Sequence, residues 1–306
     1  MFLRRSLGVV LVGLVAVGCV PRIPRFLPRR TPASVERVRF YDRRNGDSVT
    51  VLAQMNNASD ITVDLSMRLT RTGFDGKPLT GVITVPGHPP KGVSTSDSCD
   101  VPVRLELTGL GVHPLLTFHP SSDSGPWSYH WHYDWKWAHI LHGRPDGYLY
   151  SLPYKGIRCE IAQGPHGKFS HGPGSQDEEA IDFRMPEGTT ICAARAGTVV
   201  GVRMDCSKGG PDVKLKHDFN YILIRHSDGT YGEYAHCRHN SALVRIGDVV
   251  QVGQPIGLSG NTGFSSGPHL HFAVINALSG KRQVTHPVTF KRPDGKPFKP
   301  IEGETY

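Results

Sequence analysis

Ser259–Phe272 reads SGNTGFSSGPHLHF, and the fold turns on how its second half is read. In a β-strand, successive side chains point to opposite faces. His269 and His271 then share one face, while Leu270, Phe272 and Val274 share the other. An imidazole pair with an apolar backing is the layout of a metal-site strand, with ligands toward a cleft and anchors toward a core. The tripeptide alone is better read as two solvent-facing strand histidines, so a metal site needs the remaining ligands elsewhere in the chain.

The chain has 306 residues, enough for two domains with their own cores. Thirty-five glycines, 24 prolines and only 20% charged residues suit a turn-rich, all-β protein, and no long segment keeps a helical period. The net charge of +8 is scattered and accompanies no nucleic-acid motif, so no nucleic-acid partner is expected.

Residues 1–19 set the compartment. Arg4 and Arg5 precede the apolar run Leu7–Val17, which is too short to span a bilayer and is expected to be a secretory signal peptide. The run ends Ala16-Val17-Gly18-Cys19, a small residue before a cysteine. This pattern resembles a bacterial lipobox, with Ala16 where a branched residue is usual. A lipidated Cys19 would place an exported protein at the periplasmic face of a membrane without a transmembrane helix. Residues 20–34, rich in Pro and Arg, form an extended tether. Export permits disulfides, but Cys99, Cys159, Cys192, Cys206 and Cys237 are odd in number and contain no CxxC pair.

From residue 35 to 147 the period is two. Val49, Val51, Ala53 and Met55 alternate with Thr50, Leu52 and Gln54, and after the turn at Asn56–Asp60 Ile61, Val63, Leu65, Met67 and Leu69 alternate with Thr62, Asp64, Ser66 and Arg68. The two runs are expected to pair as a hairpin. Trp127, Tyr129, Trp131, Tyr133, Trp135 and Trp137 form an aromatic row opposite Ser128, His130, His132, Asp134 and Lys136. Six exposed rings would make a large sticky patch, so the row belongs to packing. Short strands between Gly, Pro and Asn turns predict a small β-sandwich-like domain. After the turn cluster Gly143–Gly147, residues 148–288 form a compact antiparallel β-sheet domain. Residues 289–306, with Pro293, Pro297 and Pro300, are expected as an extended polar tail over the surface.

Further candidate ligands lie in this second domain. His171 sits in FSHG, at a strand-to-loop position. Asp182 sits between the apolar residues Ile181 and Phe183, where a carboxylate is costly unless paired or metal-bound. His236 ends the run Tyr234-Ala235-His236, on the face of Tyr234 by parity.

Four blocks then carry a resemblance: QGPHGKFSHG (Gln163–Gly172), AIDFRMPEGTTICAARAGTVV (Ala180–Val200), NYILIRHSDGTYGEYAH (Asn220–His236) and GDVVQVGQPIGLSGNTGFSSGPHLHF (Gly247–Phe272). In kind and order they are similar to those of the lysostaphin-like zinc endopeptidases, which cut peptidoglycan cross-links. The resemblance implies a zinc metalloendopeptidase with Zn2+ held by His171, Asp182 and His271, and with His236 and His269 as a non-ligand catalytic pair. Which of the two acts as base stays open. His166 is an alternative first ligand, because the loop between His171 and Asp182 is longer than the common pattern, and Asp177, Glu178 and Glu179 lie within it. Cys237 replaces the family's usual Leu and is expected as packing. Peptidoglycan is the implied substrate, through either a D-Ala–diaminopimelate link or a glycine bridge. A non-catalytic binding or activating protein on the same fold is the alternative.

Overall fold

The computed structural model describes residues 38–56, 60–292 and 294–306. The expected signal peptide, the lipobox cysteine and the tether lie outside them, as do residues 57–59 of the expected turn. The described chain is almost entirely β, with a single 3-10 turn at Val213–Leu215 and no α-helix among the described residues.

Residues 38–137 build two facing sheets. Their strands are β1 (Val38–Asn45), β2 (Ser48–Met55), β3 (Asp60–Arg71), β4 (Leu79–Thr84), β5 (Lys91–Thr95), β6 (Ser98–Thr108), β7 (Gly111–Pro120) and β8 (Trp127–Trp137). One sheet runs β1-β2-β7-β4-β5 and the other β6-β3-β8. The expected hairpin is therefore corrected, since β2 and β3 belong to different sheets. Their apolar rows, Val49 to Met55 and Ile61 to Leu69, oppose each other across one buried cluster. Each row is equally satisfied by a partner beside it or by one across the core, and alternation does not distinguish the two. Five of the six rings of the β8 row pack onto this same cluster; Tyr133 is exposed and stacks on Phe40, and His130 and His132 are exposed.

The rest of the chain forms β9 (Leu149–Tyr150), β10 (Glu160–Gln163), β11 (Ile181–Arg184), β12 (Thr190–Cys192), β13 (Gly197–Arg203), β14 (Gly209–Gly210), β15 (Tyr221–Arg225) and β16 (Tyr231–Ala235). These are followed by β17 (Val249–Val250), β18 (Pro255–Leu258), β19 (Gly263–Phe264), β20 (His269–Ala277), β21 (Gln283–His286), β22 (Thr289–Lys291) and β23 (Pro297–Phe298). Eight of them make one antiparallel sheet, ordered β10-β11-β20-β16-β15-β13-β17, with β21 on the free part of β20. The central strand β20 sets its polarity. Leu270, Phe272 and Val274 face a large core shared with Ile222, Ile224 and Tyr234, so the opposite face is left to the histidines.

Residues 289–306 depart from the expected surface tail. β22 pairs with β9 and β23, and Phe290 is fully buried against Phe183 and Phe272. Pro297 itself opens β23, and two phenylalanines eight residues apart, Phe290 and Phe298, supply enough apolar area to hold the segment in the core.

The two halves meet along a polar joint. Asp60 is 1% exposed, and its Oδ2 accepts from Arg225 Nη1 at 2.7 Å and from the Tyr231 hydroxyl at 3.0 Å. Asn276 Nδ2 and the Ala277 amide both donate to the His139 carbonyl, each at 3.1 Å. Trp137 lies against Tyr221 with ring centroids 4.9 Å apart.

Candidate metal centre

β11 and β20 pair so that Asp182 lies opposite His271. The register follows from burial, because Ile181 and Phe183 enter the core, as do Leu270 and Phe272. The alternate positions then fall together on the cleft side. Asp182 Oδ1 is 3.0 Å from His271 Nδ1, 3.6 Å from His171 Nε2 and 3.8 Å from His269 Nε2. The loop before β11 delivers His171, whose ring centroid is 5.4 Å from that of His271.

His171, Asp182 and His271 each offer one ligand atom, and the three atoms lie within 4.8 Å of one another. The fit to a cation is tested by His171. It is 0% exposed, its Nδ1–H donates to the Gly164 carbonyl at 3.2 Å, and its Nε2 has no hydrogen-bond partner. A buried imidazole nitrogen with nothing to bind is costly. Nε2 faces Asp182, where a cation would use its lone pair. In a tetrahedral zinc site, ligand atoms about 2.0–2.1 Å from the ion stand about 3.3 Å from each other, and the observed 3.0 and 3.6 Å straddle that edge. Two imidazoles and a carboxylate suit a borderline-soft divalent ion.

His236 and His269 stand beside this trio. Their ring centroids are 4.6 Å apart, and His236 is 6.0 Å from His271. His236 Nδ1–H donates to the Thr262 carbonyl at 2.6 Å, and His269 Nδ1–H to the Gly267 carbonyl at 2.8 Å. These bonds leave Nε2 as the free acceptor on each ring. The parity expectation for His236 is corrected. Tyr234 enters the core and donates no side chain to the cleft, whereas His236 lines the cleft. Its backbone has φ of 60°, in the left-handed region, so the strand ends at Ala235 and alternation stops. Such a conformation costs a non-glycine residue about 1–3 kcal/mol.

Charges at the site reflect burial and proximity. Burial works against the Asp182 carboxylate, but the His271 hydrogen bond and the surrounding imidazoles hold its pKa well below the usual range. His271 is pushed up to about 9; burial opposes its charge, and the bond to Asp182 overrides that. Burial and then the neighbouring His269 and His271 lower His236 to about 3. Glu233, 6% exposed on the same side of β16, is raised to about 7 by burial, partly offset by His271. The sequence reading passed over Glu233, although an acid inside the apolar run YGEYA carried the same signal as Asp182.

His166, the alternative first ligand, lies apart from the trio, with its ring nitrogens 3.2 Å from Glu178 and 3.4 Å from Glu179. Asp177 lines the cleft. All five cysteines of the described residues are free. Cys237 is buried in the core, and burial pushes its thiol up to about 12, so it is packing rather than a reactive group.

The site opens into a cleft of about 1270 Å³. One wall is the β11-β20-β16 surface with its histidines. Phe169 and Phe264 flank the mouth, stacked at 6.2 Å. The far side comes from the sandwich, where Trp135, Lys136 and Trp137 of β8 line the same space.

Residues 176–286 match the profile described as Peptidase family M23. The chain carries an M23 peptidase domain. The matched segment contains Asp182, His236, His269 and His271, and the loop just upstream adds His171. The chain is 40% identical over 96 residues to an uncharacterized metalloprotease of Buchnera aphidicola, covering 31% of this chain and 22% of that protein. It is 39% identical over 94 residues to the peptidoglycan DD-endopeptidase ShyA of Vibrio cholerae, covering 31% and 19%. Against the lysostaphin of Staphylococcus simulans it is 33% identical over 116 residues, covering 37% and 21%. The chain therefore spans only about a fifth of the length of these curated relatives.

Proposed function

We propose that this protein is a zinc-dependent endopeptidase that hydrolyses peptide cross-links of bacterial peptidoglycan. The observation that carries the reading is the unpartnered Nε2 of His171, aimed at Asp182 and His271, with a second histidine pair beside it. The names of ShyA and lysostaphin support the reaction class. In an envelope cross-linked through diaminopimelate the bond is the D-Ala–diaminopimelate link, and in one with glycine bridges it is a glycyl bond.

His171 Nε2, Asp182 Oδ1 and His271 Nδ1 would hold the ion. When bound, zinc supplies polarisation of the scissile carbonyl and acidifies its water. The chain's own residues do the rest. Gly164, Thr262 and Gly267 carbonyls fix the ring orientation of His171, His236 and His269. His236 and His269 present Nε2 to the substrate side. One takes the proton of the attacking water. The other donates to the developing oxyanion and returns a proton to the leaving amine. The cleft lies between two β surfaces, which orient an extended peptide.

We place the protein in the exported compartment, held at the periplasmic face of a membrane through a lipidated Cys19. The sequence Ala16-Val17-Gly18-Cys19 supports this. The enzymatic reading is tested with His236→Ala. It is expected to keep one zinc per chain and to lose digestion of purified peptidoglycan; retained digestion would remove His236 from the mechanism.

A further inference from the structure

Gln163 ends β10 at an irregularity. Between Ile161 and Gln163 the register with β11 slips, which sets Gln163 opposite Asp182. The bulge turns its side chain inward, and the residue is 6% exposed. Every hydrogen-bonding position of its amide is then used. Oε1 accepts from the Phe169 amide at 3.0 Å and from the Ser170 amide at 2.9 Å. Nε2 donates to Ser170 Oγ at 2.8 Å and to Asp182 Oδ2 at 3.2 Å. The orientation is forced, because backbone N–H groups only donate. The atom facing Phe169 and Ser170 must be the oxygen, so the NH2 faces the carboxylate.

We propose that Gln163 is a positioning residue that fixes two of the three metal ligands at once, an inference that rests on His171, Asp182 and His271 being the ligand set. Its NH2 occupies Asp182 Oδ2, which leaves Oδ1 as the single oxygen presented to His171 and His271. Its carbonyl holds the two residues before His171, so the loop cannot carry that ring away. Oriented ligands keep a site's affinity and coordination number. The loop is shaped around this side chain. A Cβ on Gly167 would lie 2.4 Å from Gln163 Cγ, so only glycine lets the chain close over it. The spacing from Gln163 through Gly167 to Ser170-His171 thus has a physical reason: the glycine admits the amide, and the amide holds the histidine.

The test uses the full-length protein and two variants. Gln163→Met keeps the length of the side chain and removes all four bonds. Gln163→Glu keeps acceptors for the Phe169 and Ser170 amides but replaces the donor toward Asp182. Zinc affinity is measured by competition with a chromophoric chelator, and cobalt-substituted protein gives the visible spectrum. Gln163→Met is expected to bind zinc about 10–100-fold more weakly. Both variants are expected to show weaker cobalt absorption, as the released carboxylate adds its second oxygen and raises the coordination number. Gln163→Glu supplies this readout with the loop still clasped, so an unfolded Gln163→Met does not leave the question open. Wild-type affinity and an unchanged cobalt spectrum in the folded variants would overturn the role, leaving Gln163 as a loop staple. Wild-type protein that takes up no metal would overturn the ligand set itself.

Discussion

His226 gives a quantitative test of how the M23 sheet is built. It follows β15 and is 4% exposed. Its Nδ1–H donates to the Ala196 carbonyl at 3.0 Å, and its Nε2 is buried without a partner. Burial is the largest influence and lowers its pKa from 6.5 to about 4, with the Ala196 bond opposing and Arg195 adding to the depression. The folded state therefore prefers the neutral ring, and protonation favours unfolding. Stability from this group is intact above pH 6.5 and is lost as pH falls from 6.5 toward 4. At about 1.4 kcal/mol per unit, close to two units are realised by pH 4.5, a loss of about 2.5 kcal/mol. His226→Gln can keep the Ala196 bond and carries no charge at either pH. Urea unfolding of metal-free protein at pH 7 and pH 4.5 compares the two, with chelation removing the pH dependence of metal binding. Wild type should lose about 2 kcal/mol more than the variant between the two pH values. Parallel losses would refute the assignment of a dry, neutral His226.

Two more outcomes follow from the geometry. His271→Ala is expected to lose metal, because it removes the atom 3.0 Å from Asp182, whereas His269→Ala is expected to keep metal and lose digestion; metal analysis of both proteins checks the split. Asp60→Ala strands the buried Tyr231 hydroxyl and frees Arg225. It should cost about 2 kcal/mol by denaturant unfolding and lower kcat/KM with metal content unchanged, since the Trp135–Trp137 wall of the cleft hangs on that joint.

Much of the site was legible because it lies on strands. Alternation placed His269 and His271 opposite Leu270 and Phe272, and the apolar flanks of Asp182 marked it as a carboxylate with a purpose. Alternation failed where the backbone left the strand. At His236 a left-handed φ ended the period one residue early, and parity alone put the ring on the face of Tyr234, which turns out to be the core face. Pattern was also silent about partners: the rows of β2 and β3 carry equal burial, so nothing local told a hairpin from two facing sheets. The C-terminal segment looked polar by count, yet Phe290 and Phe298 were enough to bury it. Glu233 and Gln163 were passed over because a single polar residue in an apolar run names no partner until the sheet register is known.

The central claim is the cutting of peptidoglycan cross-links by a metal-dependent site, and mass spectrometry of muropeptides tests it most directly. Purified peptidoglycan incubated with the zinc-loaded protein should convert cross-linked dimers to monomers, with glycan strands intact and with no conversion after chelation. An unchanged dimer fraction, cleavage within the glycan, or conversion that survives removal of the metal would contradict the account.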